Sequence, residues 1–134
     1  MPRQRNRRRM LEPPHFKGYK PYGAPSPQEP PVELLYEEYE AFKWADYYKY
    51  SHHEACRHMG ISRSTFARIY ASARRKMAQA LVETRSIITA PGDVTFDENW
   101  YLCNDCNTRF TQQQKHKKRF CPSCQSNDLK PITK

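Results

Sequence analysis

Two C-x2-C pairs, Cys103-Asn104-Asp105-Cys106 and Cys121-Pro122-Ser123-Cys124, constrain this chain more than any other feature of it. A C-x2-C pair presents two sulfurs from one tight turn, because the backbone amides fold around the first sulfur. Two such turns on facing hairpins supply four tetrahedral thiolates, the donor set of a structural zinc with sulfur at about 2.3 Å. The intervening fourteen residues are close to the spacing of a four-Cys ribbon. The pairs therefore predict a small β zinc ribbon over residues 93–134, with one Zn2+ held by Cys103, Cys106, Cys121 and Cys124. A rubredoxin-like iron site uses the same ligands, so iron is not excluded. A catalytic zinc is disfavoured, since four Cys leave no open position for water. Asn107 follows the first pair and tolerates the left-handed backbone needed there, whereas Gln125 is less suited to it. His116 is expected at the surface, because the four Cys already satisfy a metal.

The choice of metal over disulfides depends on compartment. The longest aliphatic run is about two residues, Ile87-Ile88, against the ~20 apolar residues of a membrane helix. The charged N-terminus is not followed by an apolar stretch, so no secretory signal is expected. A cytoplasmic protein with reduced thiols is the expectation. The mean hydropathy of −1.01 excludes a large core. The net charge of +9 calls for an anionic partner, and nucleic acid is the default for such a chain.

Charge and proline divide the sequence into three. Residues 1–31 hold seven bases, two acids and eight of the eleven prolines, which predicts an extended basic arm. Its Arg3, Arg5, Arg7, Arg8 and Arg9 are candidates for phosphate or minor-groove contact. A tail that only aids solubility is the alternative. Residues 32–92 contain almost no Pro or Gly before Pro91-Gly92 and form the helical part. One helix is expected from about Glu33 to Tyr50, with Leu35, Tyr39, Phe42 and Ala45 at helical spacing. A second starts at Ser51, whose pairing with Glu54 fits a capping box, and stops at Gly60. A third starts at the Ser62 cap and runs from Arg63 to about Arg85. After Gly92, Val94, Phe96 and Trp100–Leu102 suggest strands.

A short helix, a glycine turn and a second helix form a helix-turn-helix. Ile61 anchors the turn, Cys56 lies where the helices cross closely, and Phe66 and Ile69 close the core. Arg63, Ser64, Thr65 and Arg68 then face outward. Arg binds guanine O6 and N7 bidentately, hydroxyls reach bases or phosphates, and the helix N-terminus attracts phosphate. The rival reading is a plain three-helix bundle with a solvated basic face. Arg74, Arg75 and Lys76 lie further along and are expected to touch phosphate or solvent.

At these residues the chain resembles a known family. Glu40-Ala41 with Ala45-Asp46, Met59 through Phe66, and Ser72 through Lys76 resemble the predicted DNA-binding proteins of domain of unknown function one-three-four. The opening Met1-Pro2-Arg3, Arg8-Arg9, Phe16-Lys17, Lys20-Pro21, Gly23 and Pro25 fit as well. The resemblance covers roughly residues 1–85. It departs at Tyr48-Lys49-Tyr50, where a turn Gly is more usual, and at His52-His53, where Gln or Glu is more typical. It implies a helix-turn-helix similar to region four of sigma factors, hence DNA binding and transcription control.

The expected fold is thus mainly α, a sigma region four-like helix-turn-helix domain followed by a small β zinc ribbon. The expected function is sequence-specific, double-stranded DNA-binding transcription regulation. A protein-interaction module for RNA polymerase or another partner, or an iron-thiolate redox sensor, is the alternative. No enzyme is expected, since neither a Gly-rich phosphate loop nor a Ser/His/Asp pattern occurs. The basic run Lys115–Arg119 is equally consistent with DNA contact and with a solvated tip. A homodimer is expected from the long third helix. Its stripe of Ala73, Met77, Ala80, Leu81 and Thr84 outlasts the motif and must be covered by a second copy or by another part of the chain.

Overall fold

The structure, a computed structural model, describes residues 8–25, 29–92, 94–96, 99–111 and 119–132. Strands β1 (Arg8–Met10), β2 (Gly18–Tyr19) and β3 (Val32–Leu35) precede helix α1 (Tyr36–Phe42), which continues into a π-helical turn over Lys43–Tyr47. Helices α2 (His52–His58) and α3 (Arg63–Val82) follow. Strands β4 (Ile87–Ala90), β5 (Val94–Phe96), β6 (Trp100–Cys103), β7 (Arg109–Thr111) and β8 (Leu129–Pro131) complete the described order. The expectation of a mainly α chain is wrong: the eight described strands form three small sheets, and the fold is mixed α/β.

The physical reason lies in the segments flanking the helices. β1 pairs in parallel with β5, Arg8 opposite Val94. β4 is the centre of the second sheet, antiparallel to β2 and parallel to β3. Val32 and Leu34 alternate with exposed Glu33, so the stretch expected to begin the first helix is a strand. Helix α1 starts one residue after it, where the Glu38 carboxylate accepts the Leu35 N–H at 2.9 Å. Ile87–Ala90 is β-branched and closes over the same face. Val32, Leu34, Ala80 and Ile87 form one cluster, joined by Tyr39 and Met77. Strands of this chain therefore cover the stripe of α3 at Met77 and Ala80. Leu81 and Val82 remain exposed.

A second cluster holds the helices together: Ala41, Trp44, Ala55, Cys56, Met59, Phe66 and Ile69. The arm is stitched to it, since Arg9 donates its backbone N–H to the Met59 carbonyl at 3.0 Å. Arg8 is buried and its guanidinium meets Glu37 at 2.8 Å. A third cluster, Met10, Tyr36 and Val94 with Phe96 and Ile132, joins arm, helix and ribbon end.

Helix α3 stops three residues short of the expected Arg85. Thr84 takes φ 54°, and Arg85 returns its N–H to the Ala80 carbonyl at 2.9 Å, a left-handed helix terminus. A β-branched residue is strained in that conformation. Thr84→Gly should relieve ~1–2 kcal/mol, partly offset by glycine's unfolded-state freedom. Chemical denaturation would show a higher midpoint at unchanged slope; a lower midpoint would refute the strain argument.

Candidate metal centre and nucleic-acid interface

Each half of the ribbon makes the same turn. Cys103 opens the first: its carbonyl accepts the Asn107 N–H at 2.9 Å and its own N–H reaches the Thr108 carbonyl at 2.9 Å. Cys121 repeats the pattern with Gln125 at 2.8 Å and Ser126 at 2.9 Å. Asn107 and Gln125 take φ 62° and 63°, so the less suited Gln adopts the left-handed conformation as well. Asn104 Nδ2 donates to Asp128 Oδ1 at 2.9 Å, and the Ser126 hydroxyl donates to Asp105, which ties the two turns together.

This places the four sulfurs within 4.8 Å of one another. Cys103 Sγ lies 3.5 Å from Cys124 Sγ, and Cys106 Sγ lies 3.5 Å from Cys121 Sγ. Four sulfurs at about 2.3 Å from a tetrahedral zinc would be about 3.8 Å apart, so the donor set fits a metal with little movement. Cys103 and Cys121 are buried, while Cys106 and Cys124 face solvent. Without metal, the Thr108 hydroxyl beside Cys106 pulls its thiol down to about 6. Cys124 receives a lowering hydrogen bond from the Ser126 backbone, but Cys103, burial and the other sulfurs push it up to about 12. The two exposed thiols thus titrate in opposite directions as one coupled cluster. Metal entry must release protons and is favoured as pH rises.

The second candidate surface is built on α2 and α3. Ser51 Oγ accepts the Glu54 N–H at 3.2 Å, and Ser62 Oγ accepts the Thr65 N–H at 3.2 Å, so both caps stand where the sequence places them. Between them Gly60 takes φ +64°, a conformation costly for any residue with a Cβ. The Ile61 N–H closes the turn on the Cys56 carbonyl at 3.0 Å. With Phe66 and Ile69 buried, Arg63, Ser64 and Arg68 are exposed. Thr65 is half-buried, its hydroxyl receiving a bond from Ser62 Oγ at 2.8 Å. Arg68 lines a cleft with Arg8, Glu37, Glu38 and Ser72, which puts the start of β1 beside the outer face of α3.

Of the arm arginines, Arg3, Arg5 and Arg7 lie outside the described residues. Arg8 is buried against Glu37, and Arg9 has an exposed side chain. In the basic run, Lys115 to Lys118 lie outside the described residues, and Arg119 packs over the Tyr101 ring at 4.9 Å. Arg74 stacks on Tyr70 at 5.6 Å, while Tyr70 donates its hydroxyl to Asp46 at 2.8 Å. Sequence reading missed the buried Glu38, which accepts from Lys76 Nζ at 2.7 Å and from the Ser72 hydroxyl. Glu37 and Glu40 are buried as well.

Residues 1–97 match the family described as "Protein of unknown function DUF134". The chain belongs to this family. The match ends before β6, so the four cysteines lie beyond it. Relatives called UPF0251 proteins match as well, two of them over nearly the whole chain. One from Chloroherpeton thalassium is 34% identical over 98% of this chain and 87% of its own length. One from Methanothermobacter thermautotrophicus is 38% identical over 99% of this chain and 69% of its own length. One from Pyrococcus horikoshii is 46% identical over 59% of this chain and 73% of its own length. No solved structure matches the chain. Among the described residues, no helix is long and apolar enough to cross a membrane.

Proposed function

We propose that this DUF134 member is a sequence-specific, duplex-DNA-binding transcription regulator. It works in the cytoplasm as a binding protein rather than an enzyme, and its ribbon is held by a structural zinc. The observation that carries the reading is the presentation of α3. Its inner face is locked by Phe66 and Ile69 and its start is capped by Ser62, while Arg63, Ser64 and Arg68 project outward together. That rigid exposed row is the shape and chemistry a major groove accepts. Zinc on four thiolates would have no open position, so its role is to supply folding energy to the ribbon. Iron would colour the protein and zinc would not, which separates the two directly.

The test is selection from random duplexes followed by anisotropy titration. Arg68→Ala should weaken the selected site by ~1–3 kcal/mol and relax preference at one position. Removing residues 1–7, which leaves β1 whole, should weaken all sequences alike and flatten the salt dependence. Failure to enrich any duplex would refute the reading. A protein partner, RNA polymerase or a second copy, is the second reading. It is favoured by the exposed Leu81 and Val82 at the end of α3, and light scattering with and without DNA addresses the homodimer.

A further inference from the structure

The π-helical turn after α1 builds a second concave site that DNA reading by α3 does not use. The turn closes with the Tyr48 N–H on the Lys43 carbonyl at 3.0 Å. Lys49 then takes φ 60°, and Tyr50 swings back to donate its N–H to the Trp44 carbonyl at 3.0 Å. The reversal lays the Tyr50 ring on Trp44, with centroids 5.3 Å apart and planes 16° apart. His58, from the last turn of α2, joins them at 4.3 Å and 10° from Trp44, and at 5.4 Å and 12° from Tyr50. Three rings from two elements are thus nearly parallel. Beneath them the buried Glu40 accepts the Trp44 indole N–H at 2.8 Å and is neutralised by Lys43 at 3.1 Å, which fixes the indole in place.

These rings face a cleft of about 640 Å3 whose rim carries Arg9, Arg57 and Glu54. Ligand sites of this kind run to about 300–1,000 Å3 and combine flat apolar surface with a few polar groups. Trp44 is buried and Tyr48 also stacks on Tyr50 at 6.0 Å, while Tyr50 is 37% exposed and His58 is exposed, so these two present ring surface to the cleft. Arg57 is an exposed cation at the edge, and Glu54 is an exposed acceptor whose backbone is fixed by the Ser51 cap. An aromatic floor, a cation beside it and a carboxylate acceptor suit a planar base joined to a phosphate.

We propose that this cleft binds a nucleotide. The base stacks on Tyr50 and His58, its amino edge donates to Glu54, and its phosphate meets Arg57. A free nucleoside monophosphate and an unstacked nucleotide of a single strand present the same chemistry, and the experiment separates them. The full-length chain is titrated with adenosine 5′-monophosphate, with a short single-stranded oligodeoxyadenylate and with inorganic phosphate. Tryptophan fluorescence and calorimetry are read together. Saturable quenching by the monophosphate alone identifies a free nucleotide, and quenching by the oligonucleotide alone identifies a strand. Both support the site.

Tyr50→Ala should weaken either by about five-fold or more, given the usual worth of one base stack, and Tyr50→Phe should restore it. Arg57→Gln, a surface change that leaves the rings intact, should weaken both phosphorylated ligands by roughly ten-fold. No quenching by either nucleotide, or full competition by inorganic phosphate alone, overturns the proposal. Arg68→Ala should leave this binding unchanged. Loss of duplex binding and loss of nucleotide binding are therefore separate failures.

Discussion

Cys103→Ser is expected to leave the purified protein without metal and its ribbon unfolded. Cys103 is wholly buried, ends β6 opposite Leu129, and supplies both the carbonyl that closes the first turn and one of four converging sulfurs. Structural zinc in small domains contributes on the order of 10–16 kcal/mol of apparent binding energy, which is also folding energy. Tyr101, Phe110 and Leu129 form a cluster with Cys103 and Cys121 that is too small to replace it. Metal analysis should give one ion per wild-type chain and none in the variant. The amide spectrum of residues 99–132 should collapse while that of α3 persists. A variant that keeps a full equivalent of metal would sink the four-Cys assignment.

Arg8→Ala is expected to cost ~3–5 kcal/mol, because it removes the buried cation that meets the Glu37 carboxylate out of water. The Arg8 and Glu37 side chains are 6% and 8% exposed and meet at 2.8 Å. The double change Arg8→Met with Glu37→Leu should recover most of that loss, since a well-packed apolar pair avoids the desolvation of both ions. Equilibrium unfolding of the two variants decides it. A single variant within ~0.5 kcal/mol of wild type would mean that the pair acts as a surface ion pair, of the kind worth little.

The two caps, the glycine turn and the four sulfurs were legible because each is a local signal. Ser51, Ser62 and Gly60 act within four residues of themselves, and the C-x2-C pairs carry their own turns. The ribbon was expected, but the two sheets that flank the helices were not legible, because their strands are two to four residues long and pair across the helical segment. Two or three residues show no period. Arg8 looked like a phosphate ligand because charge normally marks solvent; its contact with Glu37, far along the sequence, goes with its burial. The start of α1 was misplaced for a related reason. Leu35 fits a helical stripe with Tyr39 and Phe42, while the partner that makes Val32–Leu35 a strand is Ile87–Ala90. The aromatic floor gave a partial signal, the unusual Lys49 at a turn, but its stacking depends on His58 from another helix.

The parallel pairing of β1 with β5 also sets a schedule for synthesis. Arg8–Met10 is made before the helices, yet the strand it pairs with begins only at Val94, after all of them. Until then Met10 and Tyr36 lack Val94, the strand residue that completes their cluster. Helices made from local contacts form within microseconds, whereas chain elongation proceeds at about 5–20 residues per second. The helices and the sheet over α3 therefore stand for a time with β1 unpaired, and β5 must be translated before β1 is secure. A ribosome stalled before codon 94 would hold a species that exposes Met10 and Tyr36, prone to capture by chaperones and proteases, and early termination there would be cleared rather than tolerated.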